Sequence, residues 1–239
     1  MAAILLSDLH LPVADSPYRR TFLEFLQGPA RQARQLYLLG DLFEVWLGDD
    51  IGLADYAQEV AALRAVADAG VQLAVMRGNR DFLLGRNFFA ACGAEDLPDP
   101  VVRQLPDMLT ALSHGDQWCS DDLAYQRWRR FAHNRYAQAS WRKLPRAWRE
   151  AAARRIRGHS AAGKRQKSEQ IMDVNPQAIR SAFGVLGVAR IIHGHTHRPG
   201  THDYEIGGLQ HQRIVLPDWR PEQMAYLMID ADGVTHHTL

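Results

Sequence analysis

The sequence predicts an α/β fold carrying a helical insertion, and three observations lead there. Short apolar runs recur along the chain and each stops at a small polar cluster, as strands do where loops leave a sheet. Segments of helical period separate them, and across 121–170 the strand series gives way to basic, tryptophan-bearing stretches of helical spacing. With 239 residues, 46% of them hydrophobic, the chain can bury one sizeable core beside such an insertion.

In chain order, strands are expected at 2–6, 36–39, 72–76, 108–112 and 189–192. They run into Asp8, Gly40-Asp41, Gly78-Asn79, His114 and Gly194-His195 respectively. Helices at 19–26 and 56–69 separate the early strands, and later strands follow near 212–216 and 225–229. The insertion is expected to hold two amphipathic helices, one through Trp128, Phe131, Ala132 and Tyr136, the next through Trp141, Leu144, Trp148, Ala152 and Ile156. Residues 1–120 and 171–239 would then form the core, with 121–170 inserted as a unit. Glycines mark 158–163 and 200–208 as candidate flexible segments.

Cys92 and Cys119 stand far apart and outside any C-x-x-C pattern, which excludes a disulfide framework and a thiolate zinc site. The apolar start turns polar at Ser7-Asp8, too early for a signal peptide, and no apolar run approaches the ~18 residues of a membrane span. A cytoplasmic protein is expected. The net charge of +1 conceals an asymmetry: 120–170 holds 14 of the 28 Lys and Arg residues against four acids, so that segment is +10 and the remainder −9. Such a segment calls for an anionic partner.

The polar clusters carry the chemistry. In Asp8-Leu9-His10 two ligand types stand two residues apart, so an extended backbone turns both to one side. Gly40-Asp41 supplies a carboxylate able to bridge two cations about 3.5–4 Å apart. Asn79 adds a neutral oxygen, His114 an imidazole, and His195-Thr196-His197 repeats the alternate-residue pattern. Oxygen and nitrogen donors without thiolate suit Mn²⁺, Fe²⁺ or Zn²⁺. Any one of these residues alone would be an ordinary turn residue, but five such clusters in order, each after an apolar run, are a poor coincidence. His193 belongs to the strand before Gly194, and His133, His159, His202, His211, His236 and His237 are expected at the surface.

The ordered motifs D-x-H, G-D, G-N-x-D, H-G-D and G-H-x-H, spread from residue 8 to residue 197, resemble those of the calcineurin-like metallophosphoesterases. The resemblance implies a four-layer α/β/β/α sandwich with an inserted helical lid and two divalent ions. One ion would be held by Asp8, His10, Asp41 and His197, the other by Asp41, Asn79, His114 and His195. One departure from the superfamily pattern carries information: Arg80 stands where a histidine usually serves as general acid. A pyrophosphate releases a phosphate monoester, whose second pKa is near ~6, and needs no such acid. Arg80 can instead grip adjacent phosphates bidentately, although pairing with Asp81 would be the plainer role.

Within that family, Gly78-Asn79-Arg80-Asp81-Phe82, Ser113-His114-Gly115-Asp116 and Ile171-Met172-Asp173-Val174-Asn175-Pro176 are similar to the lipid A pathway branch, over essentially the whole chain. That likeness implies cleavage of UDP-2,3-diacylglucosamine to UMP and 2,3-diacylglucosamine 1-phosphate by metal-activated water attack on the α-phosphorus, usually with Mn²⁺. It places Asn79, Arg80, Asp122, Tyr125, Arg157, Ser160, Lys164, Lys167 and His195 on the substrate, with Lys164 a departure from the usual Asn. Phe82, Leu84, Phe131 and Met172 are candidate walls for the acyl chains.

The insertion's charge suits either an anionic bilayer or a nucleic acid. Trp128, Trp141 and Trp148 on helices fit an acyl wall or a membrane interface better than spaced base stacking. A monomer touching the cytoplasmic face of the inner membrane, with no nucleic-acid partner, is therefore expected. The alternative is a two-metal phosphodiesterase for another nucleotide or a nucleic acid.

Overall fold

The computed structural model describes residues 2–166, 173–220 and 223–239. The chain first runs β1 (Ala3–Leu6), α1 (Pro17–Gln27), β2 (Gln35–Leu39), α2 (Asp49–Asp55), α3 (Ala57–Asp68), β3 (Gln72–Met76), α4 (Arg86–Cys92) and β4 (Glu95–Leu97). It continues through β5 (Val101–Gln104), β6 (Leu109–Ser113), α5 (Leu123–Ala132), α6 (Arg135–Arg142), α7 (Arg146–Gln166) and α8 (Pro176–Leu186). The last strands are β7 (Arg190–His193), β8 (Gly200–Ile206), β9 (Leu209–Val215), β10 (Ala225–Asp230) and β11 (Gly233–Thr238).

Two sheets form, ordered β11-β10-β1-β2-β3-β4 and β5-β6-β7-β9-β8. Strands β1 to β4 are parallel neighbours, as are β6, β7 and β9, whereas β10, β11, β5 and β8 join antiparallel. Strand alternation divides the apolar residues between layers. Ala3, Leu5, Tyr37, Leu39 and Met76 face Leu112, Ile192 and Ile214 of the other sheet. Ile4, Leu6, Leu36, Leu38 and Val75 turn outward onto Phe22, Phe25, Leu63, Val66 and Phe88 of α1, α3 and α4. On the far side, α8 lays Ile179 and Phe183 over Ala111 and Ile191. These are the four layers expected, and the parallel strands read as continuous apolar runs because both their faces are covered.

Local chemistry sets the ends. Ser16 accepts from the Arg19 amide and Pro17 opens α1, while Asn175 caps α8 ahead of Pro176. Expected helices 19–26 and 56–69 agree with α1 and α3 to within two residues. Three expectations need correction. Residues 121–153 begin three helices rather than two, because Asn134 takes the amides of Tyr136 and Ala137 and restarts the helix there. The segment 158–163 lies within helical α7, where the alanines around its glycines sustain the helix. The segment 200–208 is mostly β8, held in register along β9, with Gly207 and Gly208 confined to the turn. Of the histidines expected at the surface, His211 and His237 are half-buried, against Phe183 and Tyr226.

Helices α1 and α3 are also tied by charge. Glu59 is fully buried and receives both Nε (2.6 Å) and Nη2 (2.7 Å) of Arg19. Glu59→Ala leaves the guanidinium without its carboxylate, with only the Val13 and Asp55 carbonyls to accept from it, and the expected loss of stability in urea unfolding is about 3 kcal/mol. A loss under about 1 kcal/mol would mean that water replaces the carboxylate.

Candidate metal centre

Five loops leave the carboxyl ends of β1, β2, β3, β6 and β7 and bring Asp8, His10, Asp41, Asn79, His114, His195 and His197 to one place between the sheets. The ligand atoms of Asp8, His10 and His197 lie within 4.8 Å of one another, as do those of Asp8, Asp41 and His114. His197 Nε2 is 3.3 Å from Asp8 Oδ1 and 3.3 Å from His10 Nε2. Asp41 stands between the two groups, with Oδ2 3.9 Å from His10 Nδ1 and Oδ1 3.8 Å from His114 Nε2. Asn79 Oδ1 is 3.1 Å from His114 Nε2, and the ring of His195 lies 5.0 Å from that of His114.

Backbone and side chains both fit a pair of cations. Asp8, His10, Asp41, His195 and His197 have φ between 48° and 68°, the left-handed region, and are the non-glycine residues with positive φ among those described. Each such residue costs on the order of 1–3 kcal/mol, a strain that concentrates at ligand-binding sites. Asp8 Oδ1 and His10 Nδ1 are buried with no hydrogen-bond partner, an arrangement that direct coordination would satisfy. Gly194 and Gly78 let two loops close in, since a Cβ at the first would strike Ser7 and Asp8, and at the second Asp41.

Surrounding groups aim the ligands. The Leu39 carbonyl lies 3.0 Å from His114 Nδ1, so the imidazole donates there and turns Nε2 inward. Asp218 Oδ2, 3.2 Å from His197 Nδ1, does the same for His197. Asp8 Oδ2 is occupied by Ser7 Oγ (2.6 Å) and the His195 amide (2.8 Å), leaving Oδ1 for the site. Asp81 does not pair with Arg80. It is fully buried and accepts the amides of Gly78 (2.7 Å), Leu42 (2.8 Å), Asp41 (3.3 Å) and Phe43 (3.4 Å), locking the Asp41 and Asn79 loops together.

The electrostatics match. Burial pushes Asp41 up to about 6 and holds His10 down at about 4, as a neutral imidazole. For His114, burial is outweighed by Asp41 and Asp8; for His197, by Asp218 and Asp8; both rise to about 9. Asp8, despite its burial, falls below the usual carboxylate range through His197, His114 and His10. The buried carboxylates thus attract positive charge from every side.

The remaining expected residues divide. The Arg80 amide donates to Asp41 Oδ1 (2.7 Å), and its guanidinium donates to Glu44 at 3.3 Å. Tyr125 packs its ring 5.7 Å from that of His195 and donates its hydroxyl to Asp116 (2.6 Å). Asp122 caps α5 by accepting from the Tyr125 amide. Arg157, Ser160 and Lys164 fall in the last turns of α7, while Lys167 and Met172 lie outside the described residues.

Beside the centre, an apolar cavity of about 150 Å³, open to solvent, runs between the core loops and the inserted helices. Asn79, Arg80, Phe82, Trp128, Phe131 and Trp141 are among its walls. Leu84 is instead buried in the core against the outer helices, and Trp148 stands 69% exposed away from the cavity. Sequence reasoning missed Asp218, Asp116 and Glu44 as supporting groups. Asp116 stood in the H-G-D motif, but nothing around Asp218 marks it.

A family model described as calcineurin-like phosphoesterase matches residues 1–199. The chain belongs to that family. Among curated relatives of this phosphoesterase, the UDP-2,3-diacylglucosamine hydrolase of Chromohalobacter salexigens is 45% identical over 98% of this chain and 95% of its own. The protein so named in Pseudomonas aeruginosa PAO1 is 44% identical over 98% and 97%, and that of Xanthomonas oryzae pv. oryzae PXO99A 43% over 98% and 98%. A solved dimetal phosphatase from Danio rerio shares the fold alone, with TM-score 0.51 at 11% identity over 100% of this chain and 98% of that one.

Asp218→Asn removes the charge that orients His197 without touching the ligand itself. Metal affinity, read by calorimetric titration, is expected to fall about 10- to 100-fold, with the circular dichroism spectrum unchanged. Unaltered affinity would show that Asp218 serves Arg220 rather than the centre.

Proposed function

We propose that this phosphoesterase hydrolyses the pyrophosphate of UDP-2,3-diacylglucosamine, releasing UMP and 2,3-diacylglucosamine 1-phosphate. The observation that carries the reading is a shared wall: Asn79 and Arg80 stand at the ligand cluster and also line the apolar cavity. A substrate that joins a diphosphate to acyl chains spans both, and the curated relatives bear the name of that activity over nearly their full length. Each buried methylene of an acyl chain contributes about 0.8 kcal/mol, so a cavity of this kind selects acylated over plain nucleotide sugars.

In this reading Asp8, His10, Asp41 and His197 hold one ion and Asp41, Asn79, His114 and His195 the other; the mixed carboxylate, amide and imidazole donors suit Mn²⁺, Fe²⁺ or Zn²⁺, of which the family likeness implies Mn²⁺. The bound pair supplies positive charge to the phosphoryl oxygens and acidifies the attacking water. Arg80, fixed at its backbone by Asp41, presents a permanent charge to the departing phosphate, which leaves without needing a proton. Tyr125 and His195 pack together beside the centre, and by the family likeness Asp122, Arg157, Ser160, Lys164 and Lys167 would contact the sugar phosphate. Leu123, Phe131, Tyr136 and Trp148 are exposed on arginine-rich helices, which supports peripheral seating on anionic lipid at about 1 kcal/mol per basic residue. No helix among the described residues is long and apolar enough to cross a membrane.

The experiment is UMP release from UDP-2,3-diacylglucosamine by chelator-stripped protein with and without Mn²⁺, beside UDP-glucose and cyclic AMP. Metal-dependent release from the acylated substrate alone is expected, and turnover of cyclic AMP alone would replace this reading with that of a two-metal phosphodiesterase. Asp41→Ala is expected to lose metal and turnover together, and Arg80→Ala to lose turnover at least 100-fold while keeping its metal. Trp128→Ala should raise KM for the acylated substrate about tenfold and leave a deacylated analogue unaffected. Equal losses on both would point to a folding defect.

A further inference from the structure

A strap of chain, residues 44–50, lies between the expected phosphate-binding guanidinium and the inserted helices, and is tied to both. On the core side, the Trp46 amide donates to the Arg80 carbonyl (3.2 Å), and Glu44 accepts from Arg80 Nη1 (3.3 Å). On the side of the insertion, the Leu47 carbonyl accepts two side-chain donors from different helices, Trp141 Nε1 at 3.2 Å and Arg149 Nη1 at 3.0 Å. Arg149 is 4% exposed, an unusual burial for a guanidinium, and every one of its nitrogens is engaged. Nε donates to the Leu144 carbonyl (2.8 Å), Nη1 also to Asp50 Oδ1 (2.8 Å), and Nη2 to Asp50 Oδ2.

The strap is shaped for this contact. Gly48 takes φ 125°, and a Cβ there would come within 2.9 Å of Arg149 Nη1 and of Asp50 Oδ1. Trp46 is pinned in turn, its indole donating to Asp49 Oδ1 (3.0 Å) and packing on Phe43, Tyr56 and Phe88. A continuous run of contacts thus joins Arg149 through Leu47 and Trp46 to the backbone of Arg80.

We propose that Arg149 is a positioning residue: by clamping the Leu47 carbonyl and Asp50 it fixes the 44–50 strap, and through the strap Arg80, so that docking of the inserted helices and placement of the phosphate-binding charge are set together. The proposal rests on the substrate reading above for its kinetic test but not for its structural one. Asp50 keeps 58% of its side chain exposed, so water can take over its carboxylate when Arg149 is replaced.

The test compares wild type with Arg149→Met and Arg149→Lys in Mn²⁺ titration, hydrogen exchange, and UMP release from UDP-2,3-diacylglucosamine. Arg149→Met is expected to bind Mn²⁺ within twofold of wild type. Amide exchange should quicken at least tenfold across 44–50 and reach the peptide containing Arg80, while β1 to β3 stay protected. Its kcat/KM should fall at least tenfold, with KM taking most of the loss. The shorter ammonium of Arg149→Lys reaches fewer of the four acceptors, and intermediate values are expected. Exchange that quickens in α7 but not at Arg80, or unchanged kcat/KM in a variant whose strap exchanges faster, overturns the coupling. Wild type that releases no UMP would overturn the substrate reading instead, and the exchange result would still decide whether Arg149 governs the Arg80 backbone. Should Arg149→Met fail to fold, Asp50→Asn carries the same measurements, since it weakens the clamp while Arg149 keeps its two carbonyls.

Discussion

Two carboxylates, Asp8 and Asp41, are buried side by side between the sheets, and most of the site can be understood as a response to that constraint. Like charges in a region of low dielectric repel strongly and lose their hydration, so an interior of this kind persists only when cationic or hydrogen-bonding partners surround it. Here the partners are three histidines, the amides of Arg80 and His195, and the hydroxyl of Ser7. Oδ1 of Asp8 accepts no hydrogen bond and faces His10 and His197. Divalent ions would answer both needs, neutralising the pair and accepting the unused lone pairs, and left-handed backbone at five non-glycine positions here is consistent with such a ligand-binding site.

The α/β/β/α packing follows from the same demand. Parallel strands flanked by helices end at a common edge, and stacking two such sheets brings the edges of β1, β2 and β3 against those of β6 and β7. A single sheet would spread the ligands along a line; two facing sheets gather them around a point. Asp81 shows how tightly the loops are held, since four amides from two loops share its carboxylate.

The inserted helices are attached to this centre through charge rather than through a large apolar seam. Arg129 and Tyr125 of α5 converge on Asp116, two residues beyond His114, while Arg149 of α7 grips Asp50 and Leu47. The excess positive charge of the insertion is therefore divided in function. A few arginines are consumed in these inward contacts, whereas Arg127, Arg130, Arg135, Arg142, Arg154 and Arg155 stay exposed on the same helices as Phe131, Tyr136 and Trp148.

The residues that converge at the site and their order, the strands leading into them and the helical character of the insertion were all legible in the sequence, because period and motif spacing are local properties of the chain. The three-helix division was missed for a local reason as well, the cap at Asn134, which hydrophobic period does not register. Asp218, the Arg149 clamp and the wall shared by Asn79 and Arg80 were beyond sequence reading, since each joins residues many positions apart through contacts that exist only after the sheets stack. A lone Asp after proline and an arginine among thirteen other basic residues in the insertion carry no periodic signature. What the sequence alone determined is which chemistry the chain can perform. Tertiary packing decided where that chemistry is aimed, because orientation and burial are properties of neighbours in space.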